Sequence, residues 1–364
     1  MSKEFLTGKA AESDTALRGE RFYEDRGITL LTGRRAMSLD RAAHRVTLDD
    51  GTELSYGHLV LATGARPRPL PVPGTTLDGA FDLRTLADAR ELRRRLGTAR
   101  DVVVIGAGSI GLEFTAACRA AGLAPVVLDI ADQVMGRAVS APTAAFFEER
   151  HRARGARLLM GSGPVELVGR DGRLTGVRTT DGGTLPADLV VIGIGVLPNT
   201  ELAAAAGLTM DNGVVVNEYP ATGDPDISAI GDCAAFPAPG GAGRLRLESV
   251  QNAADQARCL AARLTGTPRP YDALPWFWSY QGELRLQIAG LSTGHDRTVV
   301  HGEGTAFSVY CFRGPALVAV ESVNRTPDHM TARRLLTTGA SITPEDITAP
   351  GFSLRTHLSR ALEV

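Results

Sequence analysis

The spacing of apolar and polar residues changes character several times along the chain, and each change marks an expected element. Up to residue 61 the apolar runs are short. Ile28–Leu31, Arg45–Leu48 and His58–Leu61 predict strands, and Asp49-Asp50-Gly51 supplies a hairpin turn. Pro67–Gly74, PRPLPVPG, predicts a rigid extended linker, because proline locks its own φ and pushes the preceding residue out of the helical region. Arg84–Leu96 has helical spacing and is closed by Gly97.

From Asp101 the pattern is β-α-β. Val102–Ile105 is wholly apolar, Gly108–Ala121 predicts a helix ended by Gly122, and Pro125–Leu128 predicts the next strand. A helix over Pro142–Arg154 follows, then strands at Arg157–Met160, Val165–Gly169, Leu174–Thr179 and Leu189–Ile192. Asp171-Gly172 and Asp181-Gly182 provide turns, and Leu197-Pro198-Asn199 marks the exit from this region. Residues 198–268 carry a strand at Val214–Val216, an apolar strand ending in Gly231-Asp232, and a long helix over Gln251–Thr265. These need other strands to pack on, and residues 1–97 are the available donors. Beyond Pro270, β patterning at Trp276–Tyr280, Leu284–Leu291, Phe307–Phe312 and Leu317–Val323 precedes one helix. The expected organisation is a discontinuous domain (1–97 and 198–268), an inserted dinucleotide-binding domain (98–197) and an α/β C-terminal domain (269–364).

Charge and composition narrow the function. Thirty-nine Lys and Arg against 41 Asp and Glu leave a net charge of −2, which argues against a nucleic-acid partner. Arg93-Arg94-Arg95 and Arg150–Arg157 lie among acidic or apolar residues at helical spacing and read as solvated helix faces. The longest apolar run, Leu189–Leu197, is too short for a membrane span and contains glycines. Met1–Ala10 has no signal-peptide core. Cys118, Cys233, Cys259 and Cys311 lie far apart, with neither a CxxC pair nor metal-ligand spacing, so reduced thiols, no metal and a cytoplasmic setting are expected.

The chemistry concentrates at Gly106-x-Gly108-x-x-Gly111, directly after Val102–Ile105 and followed by Asp129 at the end of the next strand. Gly106 permits a tight turn, Gly108 lets backbone approach a pyrophosphate, and Gly111 lets helix and strand pack closely. The helix N-terminus offers N–H groups and a positive dipole end to phosphate. Asp129 stands where an acid bonds the adenine ribose hydroxyls, so NAD(H) is expected over NADP(H).

These residues, with six further motifs in order, resemble the FAD-dependent NADH:ferredoxin reductases of bacterial oxygenase systems, the putidaredoxin reductase-like family. Ser2-Lys3 with Leu6 resembles its flavin segment LSK-x-x-L. Leu61–Arg66, LATGAR, resembles its ATG motif, which places Ala62, Thr63 and Gly64 beside a cofactor. Leu83-Arg84-Thr85 matches a segment whose arginine contacts FAD, and Ile230–Cys233, IGDC, one whose aspartate, here Asp232, holds the ribityl chain. Glu248–Ala253, with Val250, is similar to a stretch near the flavin ring, and Trp276–Ser279, with Trp278, to an aromatic segment at the flavin edge. The resemblance adds Ala36, Ile110 and Gly195 as cofactor contacts and gives Glu113 and Lys3 catalytic positions near nicotinamide and flavin. Each has a plainer reading: Asp232 as a helix cap, Lys3 as a solvated charge, Arg84 as a helix leader, Glu113 as surface, the tryptophans as core. Ser109 and Tyr280 depart from the family, which commonly has an aromatic and an acid there.

The resemblance implies a two-dinucleotide-binding-domain flavoprotein reductase fold with an added α/β C-terminal domain. It implies FAD and NAD(H) as cofactors, hydride passing from NADH to flavin, and single electrons leaving to a [2Fe–2S] ferredoxin. Relatives begin with their own strand–GxGxxG–helix–strand before LSK, whereas Met1 stands where LSK begins. The FAD domain is therefore expected to be incomplete, and this chain to hold FAD poorly. Two alternatives stand beside this reading. A dithiol reductase would need a cysteine pair that the spacing does not offer, and a non-catalytic NAD(H)-binding fragment would lack flavin.

Overall fold

The structure, a computed structural model, describes residues 5–238 and 243–363. The chain divides into two compact units, one of residues 1–15, 67–195 and 274–364 and one of residues 16–66 and 196–273. In chain order the second unit opens with α1 (Glu20–Glu24), β1 (Ala36–Asp40), β2 (Arg45–Leu48), β3 (Glu53–Ser55), β4 (Leu59–Leu61) and β5 (Ala65–Pro67). The first unit follows with β6 (Ala80–Asp82), α2 (Leu86–Leu96), β7 (Val102–Ile105), α3 (Ser109–Ala120), β8 (Val126–Asp129), α4 (Ala141–Ala153) and β9 (Arg157–Met160). Then come β10 (Pro164–Arg170), β11 (Arg173–Thr179), β12 (Thr184–Pro186) and β13 (Leu189–Ile192). The second unit resumes with β14 (Val196–Pro198), α5 (Glu201–Ala205), β15 (Val214–Val215), β16 (Ile227–Ala229), β17 (Ala234–Pro237), β18 (Arg244–Leu245) and α6 (Val250–Leu264). The chain closes with β19 (Trp276–Gln281), β20 (Leu284–Gly290), β21 (Arg297–Glu303), β22 (Ala306–Arg313), β23 (Ala316–Val323), α7 (Thr326–Thr338), α8 (Pro344–Thr348) and α9 (Leu354–Ala361).

The first unit is built on a parallel sheet ordered β6-β13-β7-β8-β9. Its central strands β7 and β13, VVVI and LVVI, are buried at every position, as continuous apolar runs covered on both faces require. The antiparallel sheet β10-β11-β12 is a separate element of the same unit. The expected division at residues 97 and 98 does not match this sheet. β6 pairs in parallel with β13, Ala80 opposite Val190, so residues 67–97 fold with the β-α-β region. A three-residue strand has too little pattern to declare its neighbour; the open edge of β13 decides it. α2 starts on a capping box, with Asp88 N–H donating to Thr85 Oγ1 at 3.2 Å and Thr85 N–H donating to Asp88 Oδ2 at 2.7 Å.

The last residues of this unit form an antiparallel sheet ordered β19-β20-β23-β22-β21. One face, with Leu286, Ile288, Val309 and Val323, packs into a common core with Phe114 of α3 and Phe147 of α4. The other face, with Tyr310, Phe312 and Val320, is covered by α7, α8 and α9. The sequence reading missed β21 and found one helix where three follow the sheet; α8 is only five residues long, too short to show a period.

In the second unit β1-β2-β3 form a meander and β4 pairs in parallel with β16. The strand expected at Ile28–Leu31 is absent. That segment pairs with no strand among the described residues, and Ile28, Leu30 and Leu31 are exposed. Apolar β-branched sequence supplies propensity, but a strand needs a neighbour.

Candidate functional site

The turn after β7 places each glycine of Gly106-x-Gly108-x-x-Gly111 under a different constraint. Gly106 has φ +107°, and a Cβ there would lie 2.4 Å from Gly193 O. A Cβ at Gly111 would lie 1.9 Å from Gly106 O, so the helix approaches the turn in direct backbone contact. Gly108, the N-cap of α3, has an ordinary φ of −74°, and a Cβ there would meet only Gly193 O, at 4.0 Å. The fold therefore explains two of the glycines and leaves the third facing open space. No side chain caps α3, so its first N–H groups face that space without a side-chain acceptor. This is a cradle that a methyl group would fill, and it fits a pyrophosphate.

Asp129 ends β8 beside this turn. Ala107 N–H donates to its Oδ2 at 2.6 Å and Ala131 N–H to its Oδ1 at 2.9 Å. Two bonds leave lone pairs on both oxygens for ribose hydroxyls. Ile110, on the first turn of α3, is exposed, and Gly195, with φ +99°, has open space where a Cβ would stand.

Glu113 is not on the surface. It is buried on α3 and accepts a hydrogen bond from Ser279 Oγ at 2.8 Å. Along β19 the side chains alternate. Ser279 and Gln281 turn toward α3 and α4, while Trp276, Trp278 and Tyr280 occupy the opposite face. Trp276 and Trp278 stack at 5.2 Å between ring centroids. The Arg333 guanidinium lies 4.4 Å from the Trp276 ring and that of Arg285 lies 5.5 Å from Tyr280. His329, 1% exposed, also meets Trp276, and neither of its ring nitrogens has a hydrogen-bond partner. Burial, with Arg333 nearby, holds its pKa down at about 4. Arg84 stands at the start of α2 in this unit, its N–H donating to Asp88 Oδ2 at 3.0 Å.

In the second unit Thr63 and Asn199 bind reciprocally. Thr63 Oγ1 donates to Asn199 O at 2.6 Å, Asn199 Nδ2 to Thr63 O at 2.8 Å, and Asn199 N–H to Gly64 O at 2.9 Å. Ala62 precedes this latch at the end of β4. Asp232 sits in a short turn after β16, where Gly231 takes φ +74° and its N–H donates to Gln256 Oε1 at 2.7 Å. Gln256 Nε2, on α6, is buried without a partner, an orphaned donor beside the Gly231-Asp232 turn that fits a further acceptor there. Ala36 opens β1, and Val250 is exposed at the start of α6. Lys3 lies outside the described residues.

Sequence reasoning missed Ser140, His151, Ser279, Gln281 and Glu321. Ser140 N–H and Oγ donate to the two oxygens of Glu321, each at 2.7 Å, which joins the start of α4 to β23. The period-two alternation within WFWSYQ was the available signal for Ser279 and Gln281. All four cysteines are unpaired, and Cys118, Cys233 and Cys311 are buried. Burial pushes the Cys118 thiol up to about 12, far from a reactive thiolate.

A Rossmann-type turn open at Gly108, an acid at the next strand end and a second unit with its own glycine–aspartate turn define a dinucleotide-dependent oxidoreductase. Residues 1–257 match the family described as pyridine nucleotide-disulphide oxidoreductase, and residues 276–358 match the reductase C-terminal family. The chain belongs to the pyridine nucleotide-disulphide oxidoreductase family, within its ferredoxin reductase branch. It is 48% identical to rhodocoxin reductase of Rhodococcus erythropolis over 99% of this chain and 85% of that protein. It is 42% identical to putidaredoxin reductase of Pseudomonas putida over 94% of this chain and 83% of that one. Among solved structures it superposes on the ferredoxin reductase for the CYP199A2 system of Rhodopseudomonas palustris with a TM-score of 0.95, at 46% identity, covering 98% of this chain and 88% of that one. The covalent putidaredoxin reductase–putidaredoxin complex gives a TM-score of 0.97 at 40% identity, covering 100% and 89%.

Proposed function

We propose that this chain is the reductase of a bacterial oxygenase system, taking two electrons from NADH through FAD and delivering them singly to a [2Fe–2S] ferredoxin. Bound FAD supplies the conversion between two-electron and one-electron chemistry. The chain's residues bind and orient. Gly106, Gly108 and Gly111 with the α3 N-terminus receive the NADH pyrophosphate, Ile110 and Gly195 border it, and Asp129 receives the adenine ribose. Asp232, Arg84, Ala36, Ala62–Gly64, Val250, Trp278 and Lys3 are assigned to FAD, with residues 16–66 and 196–273 as the body of the FAD domain. Glu113, and Lys3 again, are assigned beside nicotinamide and flavin.

The carrying observation is a dinucleotide cradle joined to four unpaired thiols, three of them buried. A dithiol reductase needs two cysteines in exchange distance, so the electrons leave singly. The unpaired thiols also support placement in the cytoplasm, and no helix among the described residues is long and apolar enough to cross a membrane. Arg285 and Arg333, held over aromatic rings on one face of β19, are the cations assigned to steering an acidic ferredoxin.

The test uses flavin-loaded protein, NADH and cytochrome c. Reduction should depend on added [2Fe–2S] ferredoxin and weaken with salt, and Arg285→Glu with Arg333→Glu should slow association by about tenfold at low salt. Efficient turnover of disulfides without ferredoxin refutes the assignment.

A further inference from the structure

Four buried polar side chains from three elements form a continuous chain of hydrogen bonds in the first unit. His151 in the last turn of α4, Gln281 and Ser279 on β19 and Glu113 on α3 are all at most 3% exposed. His151 Nε2 meets Gln281 Oε1 at 2.7 Å, Gln281 Nε2 donates to Ser279 Oγ at 3.2 Å, and Ser279 Oγ donates to Glu113 Oε1 at 2.8 Å. We infer that His151, Gln281 and Ser279 are positioning residues acting in series on Glu113, each donating one hydrogen bond toward its carboxylate.

The direction of the chain is decided at Gln281. Its amide has a donor end and an acceptor end, and Met135 selects between the two arrangements. Gln281 Nε2 also reaches Met135 Sδ at 3.4 Å, and a thioether can accept but never donate. With Nε2 so fixed, Oε1 faces His151, and an imidazole nitrogen 2.7 Å from an amide oxygen must be the donor, Nε2–H. With the amide so held, its N–H occupies a lone pair of Ser279 Oγ, and the hydroxyl proton is left to point at Glu113. Turning the amide over would present Oε1 to Ser279, draw the hydroxyl proton away from Glu113 and set oxygen against sulfur at Met135. One amide orientation therefore decides whether Glu113 receives its Ser279 bond. Donors aligned head to tail polarise one another in a low-dielectric interior, which strengthens the last bond to the carboxylate.

The chain also ties the carboxylate to two rigid elements. Glu113 lies five residues beyond the Gly108 N-cap, and helical side chains slope toward the N-terminus, so it leans toward the end of α3 that receives the dinucleotide. β19 holds it directly through Ser279, and α4 through His151 and Gln281. Burial lowers the pKa of His151, against a smaller opposing effect of its bond to Gln281, which favours the neutral ring. The inference rests on the proposed placement of Glu113 beside the nicotinamide, and the following experiment separates the two.

In flavin-loaded protein, Ser279→Ala, Gln281→Leu and His151→Phe should each slow flavin reduction at saturating NADH by about tenfold, while the NADH dissociation constant moves less than about threefold. Ser279→Thr, which keeps the hydroxyl, should restore the rate. In a Glu113→Ala background the same substitutions should change the rate less than about twofold, because the chain then has nothing to position. A purely structural role would give equal losses in both backgrounds, following the thermal midpoints, and that result overturns the inference. The imidazole 15N spectrum provides a readout independent of turnover: His151, assigned by its loss in His151→Phe, should be the Nε2-protonated tautomer and should lose that signature in Gln281→Leu. If NADH fails to reduce the parent flavin, the proposed function falls, and the relay stands or falls on this spectrum alone. An Nδ1-protonated His151, or one unchanged by Gln281→Leu, overturns it.

Discussion

Gly108 and Gly111 separate ligand space from packing space within one turn of helix, so Gly108→Ala and Gly111→Ala should fail in opposite ways. At Gly108 the backbone, φ −74° and ψ 179°, is open to any residue, and the added methyl would meet only Gly193 O at 4.0 Å. Alanine is a poorer N-cap than glycine by under about 1 kcal/mol. The stiffer unfolded chain returns about 0.4–1 kcal/mol. Folding stability should therefore stay within about 0.5 kcal/mol of the parent. Binding should not. The methyl occupies the space in which a phosphate oxygen reaches the helix N–H groups, and a hydrogen bond to a charged group is worth about 1.5–3 kcal/mol, or roughly 10- to 150-fold in NADH affinity.

At Gly111 the added Cβ would stand 1.9 Å from Gly106 O and 3.3 Å from Val104 Cγ1. The first of these is backbone of a turn that is itself held at φ +107°, so it cannot yield cheaply. Overpacking of this kind costs about 3 kcal/mol, enough to lower the thermal midpoint by roughly 4–6 °C. Calorimetric NADH titration and thermal melts on the two variants decide the matter. Parent-like NADH affinity in Gly108→Ala would show that the pyrophosphate does not lie over this turn. A large loss of stability in Gly108→Ala would show that the space at Gly108 is not open.

Two further outcomes follow from the same geometry. NADH should bind at least about tenfold tighter than NADPH, because Asp129 repels a 2′-phosphate and neither Ile130 nor Ala131 offers a cation; Asp129→Ala should narrow the gap, and equal affinities by calorimetry in the parent refute the assignment. Stability should also fall in acid through His329, whose folded pKa of about 4 lies below the ordinary 6.5. The unfolded chain takes up this proton first, so the contribution is complete above pH 6.5 and is lost as pH falls toward 4, by up to about 3 kcal/mol. His151, also lowered by burial, acts in the same direction. Denaturant midpoints at pH 7.5 and pH 5 should differ less in His329→Phe, and an unchanged difference would show that the histidine is not buried neutral.

Reading the pattern alone went furthest where the physics is local. Val102–Ile105, Arg157–Met160 and Leu189–Ile192 are found as expected because short, mainly apolar runs ending at once in a glycine admit little else. The Gly106–Gly111 turn and Asp129 were legible for the same reason: their chemistry is set by spacing within one βαβ unit. What the pattern could not decide depended on neighbours remote in the chain. β6 joins the parallel sheet because β13 has an open edge 110 positions later, Ala80 facing Val190, whereas Ile28–Leu31 finds no such edge and forms no strand. Glu113 read equally as surface or site until β19, 166 residues away, brought Ser279 against it. A carboxylate's meaning lies in what donates to it, and hydrogen bonds of that kind are made by the tertiary fold.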